Sequence, residues 1–249
     1  MAFSVVIPAR YASTRLPGKA LADIAGKPMI QHVVDRANLS AASRVIVATD
    51  DARIADALRD ADCEVCMTRA DHVSGSDRLS EVVTVLGLRD DEVVVNVQGD
   101  EPLIPSRLID QVAESLTRAE HAVMSTAAKA IHDDADILNP NVVKVVFARN
   151  GQAMYFSRAP IPYARDQRTA VAWHHIGIYA YRAGYLRRYP NLPASPIEIT
   201  ESLEQLRVLD NGDAIMVEQV DYFTGIGVDT PQDLERVCLM LEGTEQGGA

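Results

Sequence analysis

The chain has little of what several classes of protein require. It contains only three cysteines in 249 residues, Cys63, Cys66 and Cys238, which excludes a disulfide framework. Cys63 and Cys66 resemble half of a zinc site, but no second pair at ligand spacing follows, so we interpret them as packing residues. No run approaches the ~18 apolar residues of a membrane span, and the first residues, MAFSVVIPAR, lack the basic segment and long apolar stretch typical of a signal peptide. We therefore expect a cytoplasmic protein without a membrane partner.

Positive charge is also scarce, with 24 Lys and Arg against 35 Asp and Glu and a net charge of −11. Because nucleic acids and anionic membranes are held by excess positive charge, the total argues against such partners. Two segments are basic although the chain as a whole is acidic. Residues 1–45 carry six cations and two anions, and residues 144–190 carry eight cations and one anion. We expect these two segments to meet in one cleft that binds small anions.

In the first half, short β-rich runs alternate with amphipathic stretches, which predicts βα units around a mostly parallel sheet. The predicted strands are residues 3–8, 44–48, 64–67 and 92–97. The predicted helices are residues 28–38, 51–59, 76–86 and 106–118. The hydrophobic fraction of 47% is ample for one large core, so we expect a single domain over residues 1–249.

After about residue 120 the pattern changes to antiparallel elements. A hairpin is predicted around Asn150-Gly151, between strands 142–148 and 153–157, and further strands at 174–181 and 214–220. A helix is predicted over 197–209, and a last helix begins at Thr230, with Asp233 completing a capping box. We expect residues 121–190, approximately, to form an added antiparallel lobe.

The loop that leaves the first strand is the richest in chemistry. Arg10, Arg15 and Lys19 lie within ten residues of one another, directly after a buried parallel strand, where open α/β sheets bind ligands. The glycines of the known phosphate-binding fingerprints are absent. Ordinary solvated cations are the alternative, but the position after a strand favours a polyphosphate site.

Two aspartates are candidate magnesium ligands. Asp100 follows the strand over residues 92–97, where a carboxylate beside a cationic loop suits Mg²⁺. Gly99 would let a bulky ligand approach the backbone. Asp229 precedes the last helix and is the leading second carboxylate. The structural alternatives are a polar turn for Asp100 and an interaction with the helix dipole for Asp229.

Other polar positions are weaker individually. Residues 74–78 open a helix and could contact an anion or a base, or could serve only as a cap. His174 and His175 lie in a strand and face opposite sides, so only one of them can enter a site. The helix predicted over 197–209 places three further polar side chains within reach of one helix face. They are Glu201, Glu204 and Gln205, and a solvated helix surface is the alternative.

Ten segments, in this order, resemble the 3-deoxy-manno-octulosonate cytidylyltransferases, the CMP-Kdo synthetase family. The segments are IPARYASTRLPGK, GKPMIQHV, IVATDD, CMTRADHVSGSDRL, VNVQGDEPLI, NPNVVKVV, YFSRAPIP, HHIGIYAYR, ESLEQLRVL and GVDTPQDLERV. They run from about Phe3 to Val237. The opening segment alone would indicate only the wider group of sugar nucleotidyltransferases.

The resemblance implies a Rossmann-like nucleotidyltransferase fold, a three-layer sandwich with a lobe for sugar binding and dimerisation. It also implies a Mg²⁺-dependent reaction, in which CTP and 3-deoxy-manno-octulosonate (Kdo) give CMP-Kdo and pyrophosphate for lipopolysaccharide synthesis. The family suggests a homodimer, with a face that could include residues 181–189. The segment between YFSRAPIP and HHIGIYAYR is short in this chain, which leaves its part in closure or dimer contacts open.

The resemblance also assigns residues by matched motif. Lys19, Asp100 and Asp229 are implied to be catalytic, the two aspartates as Mg²⁺ ligands. The implied nucleotide-binding residues are Pro8, Ala9, Arg10, Arg15, Lys19, Ser74, Arg78 and Asp100. The implied sugar-binding residues are Gln98, Arg158, His175, Tyr179, Glu204 and Gln205.

Two alternatives to this function stay open from the sequence. The first is a cytidylyltransferase for a related acidic sugar, such as an amino-substituted Kdo or a sialic acid. The second is a sugar-nucleotide-binding protein without catalysis. The presence of Lys19, Asp100 and Asp229 together disfavours the second, because binding alone does not require a metal arrangement.

Overall fold

A computed structural model describes residues 2–12, 16–72, 74–166, 170–222 and 225–245, with side chains up to residue 241. The strands in these residues are β1 (Phe3–Ala9), β2 (Asp23–Ile24), β3 (Lys27–Pro28), β4 (Arg44–Thr49), β5 (Glu64–Met67), β6 (Val93–Asn96), β7 (Ala122–Ala130), β8 (Lys144–Phe147), β9 (Ala153–Ser157), β10 (Trp173–Arg182) and β11 (Ala214–Val220). The helices are α1 (Met29–Asn38), α2 (Ala52–Ala57), α3 (Gly75–Val85), α4 (Ser106–Arg118), α5 (Asp134–Leu138), α6 (Ala183–Arg188), α7 (Pro196–Glu201), α8 (Gln205–Asp210) and α9 (Pro231–Glu245). None of these helices is long and apolar enough to cross a membrane.

The main sheet has the strand order β11-β7-β10-β6-β1-β4-β5 over the described residues. β6, β1, β4 and β5 run parallel, as the βα alternation predicts, and β7 and β11 form a second parallel pair. β10 lies between the two groups and is antiparallel to both β6 and β7. The β8–β9 hairpin attaches to β10, so strands from segment 121–190 belong to the same sheet.

Helices cover both faces of this sheet, which gives three layers. Successive residues of β1 point to opposite faces, so Val5 packs in the layer of α1 and α4, whereas Val6 packs in the layer of α3, α6 and α8. A smaller cluster joins α9 to the start of the chain through Val228, Val237 and Met29. Strands buried on both faces explain the nearly continuous apolar runs of the first half.

The predicted helix over residues 197–209 is wrong in one respect, because the chain breaks it into α7 and α8. Ser202 adopts φ 52°, the left-handed conformation that ends α7, and α8 begins only at Gln205. No glycine or proline marks the break in the sequence, so helical periodicity alone could not reveal it. The break changes the direction in which the following side chains point.

β7 and α6 are among the elements that were not predicted, with the short β2, β3 and α5. β7 is built largely of Ala, Ser and Thr, which give a weak strand signal, although it lies deep in the sheet. α6 begins directly after β10. Tyr181, Tyr185 and Tyr189 are each buried within the chain, so residues 181–189 do not offer their aromatic side chains to a dimer face.

Candidate active site

The carboxyl ends of the parallel strands meet at one cavity of about 690 Å³, called here the larger cavity. Parallel strands end at the same edge of a sheet, so the loops after β1 and β6 face each other across it. The residues predicted to bind the nucleotide or the metal that line the larger cavity are Pro8, Ala9, Arg10, Lys19, Ser74, Arg78, Asp100 and Asp229. Arg15 lies outside the described residues.

Lys19 is placed by a tight turn in the loop after β1. Gly18 adopts φ 71°, a conformation that glycine takes without strain, and its amide donates to the carbonyl of Tyr11 at 3.1 Å. Lys19 then starts a short 3₁₀ turn and points back towards the sheet. Its side chain is 18% exposed, so the ammonium is held within the site rather than free in solvent.

The ammonium of Lys19 joins the two predicted metal ligands. Its Nζ lies 2.5 Å from Oδ2 of Asp100 and 3.1 Å from Oδ1 of Asp229, and it also donates to the carbonyl of Val228 at 3.2 Å. The amide of Val228 donates to the carbonyl of Asp100 at 2.8 Å. Because Val228 is fully buried, this backbone bond fixes Asp229 beside Asp100 although 129 positions separate them.

The donor set fits a magnesium ion. The carboxylates of Asp100 and Asp229 come from distant segments and both contact the ammonium of Lys19, so they are close enough to bind one cation together. Mg²⁺ prefers oxygen ligands of this kind. Asp100 and Asp229 remain 28% and 42% exposed, which leaves room for water or phosphate oxygens to complete a coordination shell. The same arrangement places Lys19 where it can interact with an anion next to that metal.

The opposite wall of the larger cavity is formed by the start of α3. Ser74 caps this helix, and Asp77 completes the capping box. Arg78 is only 5% exposed; it donates to Oγ1 of Thr68 and lies 3.6 Å from Asp50. A buried, fixed guanidinium beside a helix N-terminus presents rigid donors to whatever enters the cavity.

Gly99 lines the larger cavity, and its lack of a side chain also serves the packing of two loops. A Cβ atom at this position would lie 2.8 Å from the carbonyl oxygen of Pro8 and 3.5 Å from the side chain of Ile30. The glycine therefore allows the loops after β1 and β6 to touch each other, and this contact sets the spacing between Ala9 and Asp100.

Gly99→Ala should therefore destabilise the protein. The carbonyl of Pro8 belongs to the backbone and cannot rotate away, so the two loops must separate, at a cost of about 1–3 kcal/mol. Urea unfolding of wild type and variant measures this loss. Gly177→Ala is the matched control, since no atom lies within 4 Å of a Cβ there. Equal stability of Gly99→Ala and wild type would contradict the close contact.

A second cavity of about 440 Å³, called here the smaller cavity, adjoins the larger one. The two share Gln98, Asp100 and Glu204 in their walls. Tyr179 of β10 and Gln205 of α8 complete the set of predicted sugar-binding residues that reach the smaller cavity. Two ligands, one bound in each cavity, would therefore lie next to each other at Asp100.

The smaller cavity holds its acidic groups in a poorly hydrated setting. Burial raises the pKa of Glu204, against the opposing effects of a 3.0 Å hydrogen bond from Ser76 and the charge of Arg207. Burial, followed by repulsion from Asp100, raises the pKa of Glu101 to about 7. Burial also raises the pKa of Tyr179, so its phenol stays protonated and can donate.

The break at Ser202 explains how Glu204 and Gln205 reach the cavity. In a continuous helix, the axis of α7 would set the directions in which the side chains of Glu204 and Gln205 point. The left-handed conformation of Ser202 ends α7 instead, so the separate helix α8 sets these directions. Arg158 stabilises this turn rather than lining either cavity. Its side chain donates to the carbonyl of Glu201 at 2.7 Å, to that of Pro140 at 3.0 Å and to that of Ser202 at 3.4 Å.

His175 also lies behind the smaller cavity and not in its wall. It is buried, with its ring 4.9 Å from the ring of Phe156 and 5.5 Å from that of Tyr179. Thr126 gives its one hydroxyl proton to the carbonyls of Ile176 and Ile178, so it accepts from Nε2–H of His175 at 3.0 Å. Burial lowers the pKa of His175 to about 3, which keeps the ring neutral.

The buried imidazole should make stability sensitive to acid. Its pKa is about 3 when folded and 6.5 when unfolded, so between these values only the unfolded chain binds the proton. Stability contributed by the neutral ring is complete above pH 6.5 and falls by about 1.4 kcal/mol per pH unit below it. From pH 7.5 to 5, we expect wild type to lose about 2 kcal/mol more than His175→Gln does. Urea unfolding at each pH measures this difference.

The control for this experiment is His121→Gln, because His121 is exposed. It should keep the pH dependence of the wild type. An identical pH dependence in wild type and His175→Gln would show that the imidazole of His175 takes up its proton in the folded protein.

Several residues of the smaller cavity were missed by the sequence reasoning. Asn96, Glu101 and Tyr181 line it. Asn96 had a usable signal, since it is the one polar side chain in the strand Val93–Asn96. The sequence held no signal for Tyr181, because this residue reaches the smaller cavity only when β10 lies next to β6.

Comparison with known proteins agrees with this geometry. A family model described as cytidylyltransferase matches residues 4–217. The chain is 55% identical to the 3-deoxy-manno-octulosonate cytidylyltransferase of Acidovorax sp. (strain JS42), over 97% of this chain and 98% of the relative. It is also 55% identical to the enzyme of that name from Marinobacter nauticus, over 100% and 99% of the two chains.

A solved structure shares the fold as well. It is described as CMP:2-keto-3-deoxy-manno-octonic acid synthetase complexed with CTP, and it superposes with a TM-score of 0.92 at 45% identity, over 98% of this chain and 99% of the other. With two adjoining cavities that share Asp100, and with relatives matched over nearly their full length, the chain belongs to the 3-deoxy-manno-octulosonate cytidylyltransferase family.

Proposed function

We propose that this enzyme transfers CMP from CTP to Kdo and releases pyrophosphate. The observation that carries the proposal is the pair of adjoining cavities that share Asp100. The larger cavity, with its cations and helix N-terminus, suits CTP, and a related protein has been solved as a complex with CTP. The smaller cavity, lined by hydroxyl, amide and carboxyl groups, suits a polyhydroxylated sugar.

The reaction is an in-line displacement at phosphorus. The anomeric oxygen of Kdo forms a bond to the α-phosphorus of CTP and loses its proton, while the bond from that phosphorus to the β-phosphate oxygen breaks. Such a transfer depends on positioning and on neutralising charge. The shared wall at Asp100 brings the two reactants together.

The triphosphate is bound by the loop after β1 and by the start of α3. Arg10 and Lys19 supply positive charge, and Lys19 can offset the charge that develops on the leaving pyrophosphate. Arg78 and Ser74, with the backbone at Pro8 and Ala9, frame the cytidine. The hydrogen bond from Arg78 to Thr68 and its ion pair with Asp50 keep the guanidinium in one orientation.

Asp100 and Asp229 would hold Mg²⁺. When bound there, the ion supplies positive charge at the α-phosphate and favours the deprotonated form of the sugar hydroxyl. Lys19 contacts both carboxylates, so it must share them with the metal or turn towards the phosphates. Gln98 and Glu204 stand at the boundary of the two cavities, where they can orient the sugar.

We also propose a cytoplasmic homodimer that supplies CMP-Kdo for lipopolysaccharide. The supporting feature for a dimer is the exposure of large apolar side chains in segment 121–190, with Met154 at 66%, Tyr163 at 84% and Val171 at 52%. Light scattering on the purified protein should give about twice the chain mass of 27.1 kDa. A monomer at micromolar concentration would reject the dimer without affecting the proposed reaction.

Pyrophosphate release is the direct test of the reaction. Purified enzyme with CTP, Mg²⁺ and Kdo should release one pyrophosphate for each CMP-Kdo formed. Parallel reactions replace Kdo by a sialic acid or by an amino-substituted Kdo, and CTP by UTP. No release from folded protein with any sugar would leave a binding protein, and faster release with another sugar would reassign the substrate.

A further inference from the structure

A stacked pair of side chains stands at the edge of the larger cavity. The guanidinium of Arg53, in α2, lies over the ring of Tyr11, in the loop after β1, with Cζ 3.3 Å from the ring centroid. A cation at this distance is attracted by the negative face of an aromatic ring. Because Tyr11 lines the larger cavity, the stack connects α2 to the wall of that cavity.

The guanidinium of Arg53 is fixed by the start of its own helix. Its Nε donates to Oδ1 of Asp51 at 2.9 Å, and its Nη2 donates to Oδ2 at 2.7 Å. Asp51 caps α2 by accepting from the amide of Arg53 at 2.9 Å, and its own amide donates to Oγ1 of Thr49, the last residue of β4. Two parallel hydrogen bonds to one carboxylate set the plane of a guanidinium, so Arg53 offers the ring a rigid face.

The ring of Tyr11 in turn contacts the tight turn that precedes Lys19. A Cβ atom at Gly18 would lie 3.2 Å from Cε2, Cζ and Oη of Tyr11, and the amide of Gly18 donates to the carbonyl of Tyr11 at 3.1 Å. The 3₁₀ turn that Lys19 begins also lies next to α2. Tyr11 therefore holds this turn through both its backbone and its ring.

The position of the turn matters because Lys19 reaches the site on a flexible side chain of four carbons. Its ammonium contacts Asp100 and Asp229 when the backbone of the turn lies at the right distance from the ends of β1 and β6. A turn that leaves this position in part of the molecules lowers the apparent affinity for a ligand by that fraction. Saturating ligand restores the position, so the loss appears in KM and not in kcat.

We propose that Arg53 and Tyr11 are positioning residues, which hold the loop after β1 in its binding conformation before CTP arrives. The connection runs from the capped start of α2, through the stack, to the turn that carries Lys19. This inference rests on the proposed function and deepens it, because it assigns the pre-organisation of the triphosphate site to a contact between this loop and α2.

The test measures CTP binding and kinetics in three variants of the full chain. Arg53→Met removes the guanidinium, and Tyr11→Leu removes the ring. Each should raise the Kd for CTP, measured by calorimetry with Mg²⁺ and without Kdo, by about three- to tenfold. The KM for CTP should rise by the same factor, whereas kcat and the KM for Kdo should stay within about twofold of wild type. Tyr11→Phe keeps the ring and should retain the affinity of the wild type.

Two controls guard against misfolding. The side chain of Arg53 is 58% exposed, and Arg53→Met keeps the backbone amide that Asp51 caps, so this variant should unfold at the wild-type temperature. Arg59→Met is the matched control, since it removes a guanidinium that is 74% exposed and pairs with Asp56 just beyond α2. It should leave the Kd for CTP unchanged.

The double variant tests whether the two side chains act through one contact. Arg53→Met combined with Tyr11→Leu should weaken CTP binding no more than the stronger of the two single variants does. Multiplied losses would show that each side chain acts alone, and the stack would then not be the cause.

The outcomes separate this inference from the proposed function. Wild-type Kd values in both Arg53→Met and Tyr11→Leu overturn the inference, as does an equal loss in Tyr11→Phe and Tyr11→Leu. A fall in kcat without a change in Kd also overturns it. A wild type that binds CTP but releases no pyrophosphate with Kdo rejects the proposed reaction, and the Kd values still decide this inference.

Discussion

Asp100→Asn should lower kcat at least about a hundredfold, with little change in fold. Asp100 lies in the wall of both cavities, contacts Lys19 and is placed to hold the metal, so its charge serves both substrates at once. Asparagine keeps the shape but removes that charge. The measurement is pyrophosphate release at saturating CTP and Kdo over a series of Mg²⁺ concentrations, in which half-maximal activity should also require more Mg²⁺.

The control for this variant is Asp56→Asn, which removes a carboxylate that is 68% exposed and pairs with Arg59 at the surface. It should retain wild-type turnover. Circular dichroism and thermal unfolding establish that Asp100→Asn is folded. Near-wild-type activity in the folded Asp100→Asn protein would refute the assignment of Asp100 to the metal.

Lys19→Met should lower kcat/KM for CTP by a comparable factor, because it removes the charge that we propose offsets the charge on the leaving pyrophosphate. It also leaves Asp100 and Asp229 without their shared ammonium, so the two carboxylates repel each other across the empty position. Kinetics with CTP as the varied substrate measure the loss. Lys27→Met is the matched control, since Lys27 pairs with Asp35 at the surface of the same segment.

The double variant tests whether these groups act together. If Lys19 and Asp100 form one unit, Lys19→Met combined with Asp100→Asn should lose much less than the product of the two single losses. Simple multiplication of the losses would show that the two side chains contribute independently, and the contact between them would then have no catalytic meaning.

Much of the larger cavity could be predicted from the sequence. Buried parallel strands give strong apolar runs, and their ends are marked by polar residues, so Arg10, Lys19 and Asp100 could be placed at one edge of the sheet. The cap at Thr230 located the start of α9 and thus the position of Asp229. In these cases local signals and long-range packing agree.

The smaller cavity was harder to predict for physical reasons. The antiparallel insertion of β10 depends on pairing between distant segments, which no local pattern encodes. Ser202 adopts a left-handed conformation without being glycine, so the break before α8 has no sequence marker. The motif match selected His175 and Arg158, but it could not separate residues that line the cavity from residues that support it.

The backbone bond between Val228 and Asp100 has a consequence for the order of events in folding. Asp229 lies 210 positions after Lys19 in the chain, although their side chains are in contact. β1 pairs with β4 and with β6, and these pairings need no residue from the segment that carries Asp229. The aspartate pair is therefore a long-range contact, completed only when this last segment packs against the ends of the strands.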